Sequence, residues 1–237
     1  MTSISGFLAN SYSYLSSNAG QKSSVSSKSD NSHASSEKVA EQAQTKDTPA
    51  PGSLASAAAT ARAKIDAGYA KLGVTGTSRT TADEWDSIGF PDFDRQMLYS
   101  VTSNEGGMFT DVEVNAAKNE IANRISDIIN ANDPLADNGT KAYRAILDFY
   151  DAASDDEKAS FEWAIARASA EKSYVLSGGT ENVSTGDRVV DKLVEAWDQV
   201  IARGGTSNDF ANMPAYQEAL TWWAQDHGAA PRFSFNV

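Results

Sequence analysis

The sequence predicts an all-α protein, a bundle of about six to eight helices that follows a disordered N-terminal tail. From residue 54 onwards, apolar side chains recur with the spacing of a helical turn. No stretch shows the sustained apolar–polar alternation typical of a strand. The residues before 54 are rich in serine and poor in large apolar side chains. We therefore expect a disordered leader and linker at residues 1–53 and an acidic all-α domain at residues 54–237.

The N-terminal tract is predicted to be disordered because it cannot bury enough apolar surface to offset the entropy of ordering its chain. Its lysines balance its acidic residues in number, so the whole formal charge of −12 belongs to residues 54–237. The serine-rich, acid-poor opening resembles the uncleaved leaders of bacterial type III and flagellar-export substrates, which implies secretion without a cleaved signal peptide. The alternative is an ordinary disordered tail on a cytoplasmic protein.

Composition excludes several kinds of site. An acidic surface repels phosphate backbones and anionic lipid headgroups, so we expect no nucleic-acid binding, and cations or basic partners are favoured. The chain has no cysteine, which rules out disulfides and cysteine-based zinc sites. No apolar run reaches the roughly 20 residues that a membrane-spanning helix needs.

The first helices are marked by the residues at their ends. An alanine-rich segment that starts at Leu54 is predicted to form a helix ending at Gly73. Thr81–Glu84 has the form of a capping box and should open a short helical turn that ends at Gly89. Asp92 is predicted to open the next helix, whose apolar stripe is Phe93, Met97, Leu98 and Val101.

Further apolar stripes predict the later helices. The first of them ends before Asp133, because the proline that follows disfavours helix at that residue. Ser154 opens a second capping box, which leads into the helix whose apolar stripe begins at Phe161. A last helix follows Pro214. The stripes are Val114, Ala117, Ile121, Ile125 and Ile128; Tyr143, Ile146, Leu147 and Tyr150; Phe161, Ile165 and Ala168; and Val190, Leu193, Val194, Trp197 and Ile201.

The only recognisable motif lies in the loop of residues 102–113, between two predicted helices. With its flanking helices, at residues 92–130, it resembles an EF-hand, the helix–loop–helix calcium module. Gly107 stands at the sixth loop position, where the family needs a sharp turn, and Glu113 stands at the twelfth, the place of a bidentate carboxylate. The resemblance implies a Ca²⁺ site whose candidate ligands are Thr102, Asn104, Met108, Thr110 and Glu113.

The loop departs from the family in its charge. Thr102 stands at the first position and Gly106 at the fifth, so only Glu113 brings a carboxylate to a usual ligand position, and we expect weak Ca²⁺ binding at most. In the alternative interpretation the loop is a Gly-Gly turn, Thr110 caps the following helix, and Glu113 completes a capping box with it. Under that interpretation the protein carries no cofactor.

Two patterns suggest catalysis, and each has a plainer explanation. Glu162 lies between two aromatic residues and, with Asp148 or Asp151, would suit general-acid chemistry in a small helical hydrolase. Asp226-His227 would orient an imidazole towards a serine, but the chain has no Gly-x-Ser-x-Gly elbow. Solvated helix faces explain both patterns, so a non-enzymatic protein is favoured.

Trp222 is a candidate partner-binding residue. It lies about 100° around the last predicted helix from Trp223, so both rings are buried only if that face is wide or meets a partner. Exposed tryptophan often anchors protein interfaces, and burial under the C-terminal residues is the alternative. We therefore predict a non-enzymatic module that binds a protein partner, with a weak calcium-responsive binder and a helical hydrolase as the alternatives. The sequence indicates no oligomeric state.

Overall fold

A computed structural model describes residues 50–73, 82–137 and 139–228. Within these ranges the chain forms α-helices and short 3₁₀ helices and no strand, which confirms the all-α prediction. The α-helices are α1 (Leu54–Leu72), α2 (Ala82–Ile88), α3 (Arg95–Thr102), α4 (Asp111–Asn132), α5 (Gly139–Asp151), α6 (Asp155–Lys158), α7 (Phe161–Leu176), α8 (Arg188–Ala202) and α9 (Pro214–His227). The 3₁₀ helices are Phe90–Asp92, Glu105–Gly107 and Ser207–Asn212.

The tail prediction falls almost wholly outside these ranges. Residues 1–49 are not among those that the structure describes, so their predicted disorder and export function remain predictions. Among the described residues, no helix has the length and apolar character needed to cross a membrane.

Helix α1 has a cap at each end and small residues on its inner face. The Ser53 hydroxyl accepts a hydrogen bond from the Ser56 amide, and Gly73 ends the helix with a left-handed φ of 68°. A Cβ atom at Gly68 would lie 2.7 Å from the Cα atom of Ile88 in α2. The two helices therefore pack backbone against backbone at this point, and any larger side chain at position 68 would force them apart.

The first of two apolar clusters, the N-terminal core, lies between α1, α2, α3 and the start of α4. Aromatic rings fill its centre: Phe90 packs edge-on against Trp85 at 5.3 Å and stacks on Phe93 at 5.0 Å. Burying each large apolar side chain stabilises the fold by about 1.5–3 kcal/mol. The buried members of the N-terminal core are Ala58, Ala61, Ile65, Tyr69, Ile88, Phe90, Phe93, Met97, Leu98, Val101, Phe109, Ala116 and Ala117.

The second cluster, the C-terminal core, is formed mainly by α5, α7, α8 and α9. Trp197 stacks on Phe210 with 4.0 Å between ring centroids, and its indole N–H donates to the Ser169 hydroxyl at 3.0 Å. Phe161 at the start of α7 meets Tyr216 of α9 edge-on at 5.6 Å. The polar atom of the largest buried ring is thus paired inside the core, as burial of an indole requires.

A return segment, residues 177–187, connects α7 to α8 by passing back along α7. Val183 in this segment is buried, and its carbonyl accepts a hydrogen bond of 2.6 Å from Arg167 in the middle of α7. The return lets α7 and α8 run in the same direction, with Ser169 beside Trp197. A charged side chain therefore holds the connection in place.

Helix α4 belongs to both cores. Ala116 and Ala117 on its first half are buried in the N-terminal core, and Ile125 on its second half is buried in the C-terminal core. Ile121 packs against both clusters. The helix has 22 residues, about 33 Å at 1.5 Å per residue. One continuous helix thus joins the two halves of the molecule.

Arg95 makes a second connection between the halves. This α3 side chain forms a bidentate ion pair with Glu157 of α6, at 2.8 and 2.7 Å. Its guanidinium also lies over the Phe149 ring of α5 at 4.0 Å and donates to the Phe149 carbonyl. A planar guanidinium suits this combination of paired hydrogen bonds and ring stacking.

The helix boundary predicted at Asp92 is wrong, and the cap lies two residues later. Asp94 caps α3, because its carboxylate accepts a hydrogen bond of 2.8 Å from the Met97 amide. Asp92 instead ends a 3₁₀ turn that buries Phe90.

The capping box predicted at Ser154 does not lead into the long helix. The Ser154 hydroxyl accepts from the Glu157 amide, but the Glu157 carboxylate is bound by Arg95. Only the four-residue α6 follows, and Ser160 provides a new cap for α7. The other predicted box begins at Thr81, which lies outside the described ranges.

Candidate functional site

The loop between α3 and α4 owes its shape to residues with left-handed backbone angles. Asn104, Gly106 and Gly107 have φ values of 51°, 64° and 68°. Glycine adopts such angles without steric penalty, and asparagine tolerates them better than most residues. Thr110 and Glu113 form a capping box at the start of α4, which confirms the alternative interpretation of these two residues.

Three of the candidate calcium ligands are engaged within the chain through their oxygen atoms. The Thr102 hydroxyl donates to the Tyr99 carbonyl at 3.1 Å, within α3. The Asn104 side-chain oxygen accepts from the Phe109 amide at 2.8 Å and so closes the loop on itself. The Met108 carbonyl, at the seventh loop position, accepts from the Arg62 guanidinium of α1 at 3.3 Å.

The Glu113 carboxylate is the centre of a buried network. Its side chain is 1% exposed. One oxygen accepts hydrogen bonds from Arg62 at 2.9 Å and from the Thr110 amide at 2.8 Å. The other oxygen accepts from the Tyr69 hydroxyl at 3.0 Å. Helix α1 thus supplies two side chains, Arg62 and Tyr69, to the carboxylate that begins α4.

The network favours one protonation state. Burial alone would raise the pKa of Glu113, but hydrogen bonds from Arg62 and the Thr110 amide, together with the charge of Arg62, lower it below its ordinary value. Burial and the negative Glu113 raise the pKa of Tyr69 above its ordinary value. An ionised Glu113 and a neutral Tyr69 that donates to it therefore stabilise each other.

In the folded loop, oxygen atoms that a calcium ion would need are already engaged within the chain. Calcium takes six to eight oxygen ligands, whereas both Glu113 oxygens and the Met108 carbonyl already accept hydrogen bonds from the protein. Across the part of the chain that the structure describes, no group of three or more histidine, aspartate or glutamate side chains could hold a metal ion. Weak Ca²⁺ binding remains a prediction that a titration would test.

Trp222 contacts two basic side chains on the face shared by α8 and α9. Its ring is partly exposed, with the Arg188 guanidinium 5.4 Å and the Lys192 ammonium 5.3 Å from the ring centroid. Cations over an indole face are attracted by its quadrupole. Trp223 has a different setting, because its indole N–H donates to the Ala159 carbonyl at 2.8 Å and its ring packs against Phe161.

A groove of about 300 Å³ lies next to this face, where the N-terminal ends of α7 and α8 meet the C-terminal end of α9. Trp223 and His227 form part of its wall and stack with 4.7 Å between ring centroids. The charged residues that line it are Asp155, Lys158, Asp187, Arg188 and Asp226. Arg188 belongs both to the groove and to the Trp222 face, so the two form one continuous surface.

The candidate catalytic groups are not brought together. Glu162 is exposed and does not line the groove, and Asp151 pairs with Arg167. Asp226 forms an ion pair with Arg188 at 2.5 Å, and a ring nitrogen of His227 lies 2.9 Å from the Trp223 carbonyl. These contacts give no support to the hydrolase alternative.

Sequence reasoning missed the partners of Glu113. Arg62 and Tyr69 are seven residues apart on α1, two turns along one helix face, and Arg62 interrupts an otherwise alanine-rich stretch. That spacing is the only sequence signal that the two side chains share a polar partner. It does not identify the partner as Glu113, which lies 51 positions after Arg62.

Comparisons of this chain with known protein families, curated proteins and solved structures found no match.

Proposed function

We propose that this protein is a non-enzymatic interaction module that binds a basic segment of a partner protein through the α8–α9 face centred on Trp222. The observation that carries this proposal is the partly exposed Trp222 ring, with the Arg188 and Lys192 side chains of α8 over it. Tryptophan presents a large, rigid contact area with few rotatable bonds, and such residues dominate the energy of many interfaces.

The ring is supported by charged neighbours that are themselves paired. Arg188 binds Asp226 at 2.5 Å, and Lys192 binds Glu195 at 2.7 Å and Glu218 at 3.2 Å. These pairs limit the conformations of the two basic side chains and therefore of the indole beneath them. A binding residue that is already ordered loses less entropy when the partner docks.

The charge of the face favours a basic partner. Around the ring, the basic side chains Arg188 and Lys192 are outnumbered by the carboxylates that pair with them, Asp226, Glu195 and Glu218. The adjoining groove adds Asp155 and Asp187 and one lysine, Lys158. A partner segment with apolar residues for the indole and basic residues for the surrounding carboxylates would match this surface.

Two labelled amphipathic peptides would test the proposal, one of leucine and lysine and one of leucine and glutamate with leucine at the same positions. We expect the intact protein to bind the lysine peptide and not the glutamate peptide, as measured by fluorescence anisotropy. Trp222→Ala should weaken that binding about tenfold or more, because a central aromatic anchor is lost.

Leu135→Ala is the matched control, since Leu135 is 79% exposed and lies in the loop between α4 and α5, outside the face. This variant should bind the lysine peptide as the unchanged protein does. Equal binding of both peptides, or undiminished binding by Trp222→Ala with an unchanged melting temperature, would overturn the proposal.

A further inference from the structure

We infer that the Arg62 guanidinium takes the place of the cation in the loop of residues 102–113, so that helix α1 closes this helix–loop–helix unit in place of a bound metal ion. The resemblance to an EF-hand leads one to expect an ion there, and the folded loop presents an arginine instead. The inference is independent of the proposed partner-binding face.

The contacts of Arg62 coincide with the ligand positions of the loop. Its Nη1 atom lies 3.3 Å from the Met108 carbonyl and 2.9 Å from a Glu113 oxygen, at the seventh and twelfth loop positions. Those are the positions of the backbone ligand and the bidentate carboxylate in a calcium-binding EF loop. The guanidinium also lies 5.7 Å from the centroid of the Phe109 ring, at the eighth position.

The charges match a guanidinium better than a divalent ion. The loop has one carboxylate at a ligand position, Glu113, because Thr102 and Gly106 occupy the first and fifth. One negative charge is balanced by one positive charge, whereas Ca²⁺ would leave an excess of one. The guanidinium is charged at all physiological pH values and carries several N–H donors in a fixed plane, so it satisfies several oxygens at once.

As a consequence, the stability of the loop depends on side chains of α1. The burial of Glu113, at 1% exposure, is tolerated because Arg62 and Tyr69 both reach it from α1. Removal of the guanidinium would leave a buried carboxylate next to an empty space of guanidinium size. That space should accept a small planar cation from solution, and the unaltered protein should gain no stability from such cations.

An ordinary surface ion pair is the competing explanation for Arg62, since it also contacts Asp66 at 2.8 Å on its own helix. Asp66 is 63% exposed and is not a loop residue, so Asp66→Asn is the matched control. If Arg62 served only this pair, Arg62→Ala and Asp66→Asn would have equally small effects on stability.

The test uses thermal melts of the full chain followed by circular dichroism, with millimolar methylguanidinium, methylammonium or calcium chloride. We expect Arg62→Ala to lower the melting temperature by about 4–8 °C. Methylguanidinium should recover part of that loss and methylammonium less, because the planar cation has the size and shape of the group that was removed and refills the space beside the Phe109 ring. The unaltered protein and Asp66→Asn should respond to none of the three salts. Rescue should disappear in Arg62→Ala combined with Glu113→Gln, which removes the carboxylate.

If Arg62→Ala does not fold, Arg62→Lys with and without Glu113→Gln provides the same comparison through a double-mutant cycle. We expect the cycle to give a larger coupling energy in stability between positions 62 and 113 than between positions 62 and 66. An Arg62→Ala variant as stable as Asp66→Asn, rescue no better with methylguanidinium than with methylammonium, or a calcium-specific rise in the unaltered protein's melting temperature would overturn the inference.

Discussion

Each half of the molecule contains an arginine–glutamate pair at the edge of its core. The more buried partner is the glutamate in one pair and the arginine in the other. In the N-terminal half the glutamate is enclosed: Glu113 is 1% exposed and Arg62 is 23% exposed. In the C-terminal half the arginine is enclosed: Arg167 is 1% exposed and Glu171 is 11% exposed. The same two residue types thus form two different electrostatic environments.

The difference lies in how donors and acceptors are shared. Glu113 receives hydrogen bonds from three donors, Arg62, Tyr69 and the Thr110 amide. Arg167, in contrast, is shared among three acceptors, which are the carboxylates of Asp151 and Glu171 and the carbonyl of Val183.

The two glutamates accordingly have pKa values shifted in opposite directions. Burial raises the pKa of Glu171, and attraction to Arg167 only partly offsets this because Asp191 and Asp151 repel its charge. The pKa of Glu113 is lowered despite burial. The donors and the charges around each carboxylate decide the direction of the shift, and burial alone does not.

The largest expected effect is the loss of the shared arginine. Arg167→Met should lower the free energy of unfolding by about 3–5 kcal/mol, because it leaves Glu171 and the Val183 carbonyl without their donor inside the fold. Urea denaturation at neutral pH measures this. Arg144→Met is the control, since Arg144 is 43% exposed in an ion pair along α5, and it should change stability by less than about 1 kcal/mol. Equal effects of the two substitutions would contradict the role of Arg167.

A smaller loss is expected when the enclosed carboxylate becomes neutral. Glu113→Gln keeps the shape of the side chain and can still bond Tyr69, so we expect a loss of about 2–3 kcal/mol in urea denaturation, the size of charge-assisted hydrogen bonds. Its control, Asp66→Asn, should lose at most about 1 kcal/mol. A Glu113→Gln variant as stable as its control would show that the buried charge contributes nothing.

The dependence of stability on pH should separate the two pairs. The lowered pKa of Glu113 contributes stability above the ordinary value of 4.5, and this is lost as the pH falls through the folded-state pKa. The raised pKa of Glu171 acts in the opposite sense, because the folded state holds that proton more tightly and stability falls as the pH rises from 4.5 through the folded-state pKa.

Denaturation at a series of pH values from 3 to 7 tests both signs. Glu113→Gln should reduce the loss of stability on the acid side of 4.5. Glu171→Gln should reduce the decline on the alkaline side of 4.5. If both variants changed the dependence of stability on pH on the same side of 4.5, the contrast between the two pairs would be refuted.

The smallest effect is expected at the exposed pair of Arg188 and Asp226. Asp226→Asn should leave the melting temperature unchanged within error, since solvent and salt screen an ion pair at the surface. A shift of several degrees would mean that the surface next to Trp222 contributes to folding, and its proposed role in binding would need to be separated from that contribution.

Local signals were predictable from the sequence, and distant pairings were not. The capping relation of Thr110 and Glu113 spans three residues and depends only on their types, so the sequence revealed it. The ion pair of Arg62 with Glu113 spans 51 residues and depends on how α1 docks against the loop. Nothing in the order of residues near Glu113 names its partner.

The errors at helix boundaries have similar causes. Asp92 and Asp94 are equally suitable caps by residue type, and the burial of Phe90 in a 3₁₀ turn leaves the role to Asp94. Glu157 would have completed the box at Ser154, but a distant arginine binds its carboxylate. The burial of Arg167 was also missed, because arginine in a helix usually indicates a solvated face.

The sharing of α4 by both cores makes the protein a candidate for fragment complementation. The loop after α4, at residues 133–137, is short, and residues 134–137 are exposed, so a single cut there would leave α4 on the N-terminal fragment. That fragment would present Ile125 with no apolar cover, and the C-terminal fragment would lack the same surface. The two pieces would then recover their native packing only by reassociating, which suits a split reporter that signals when its halves meet.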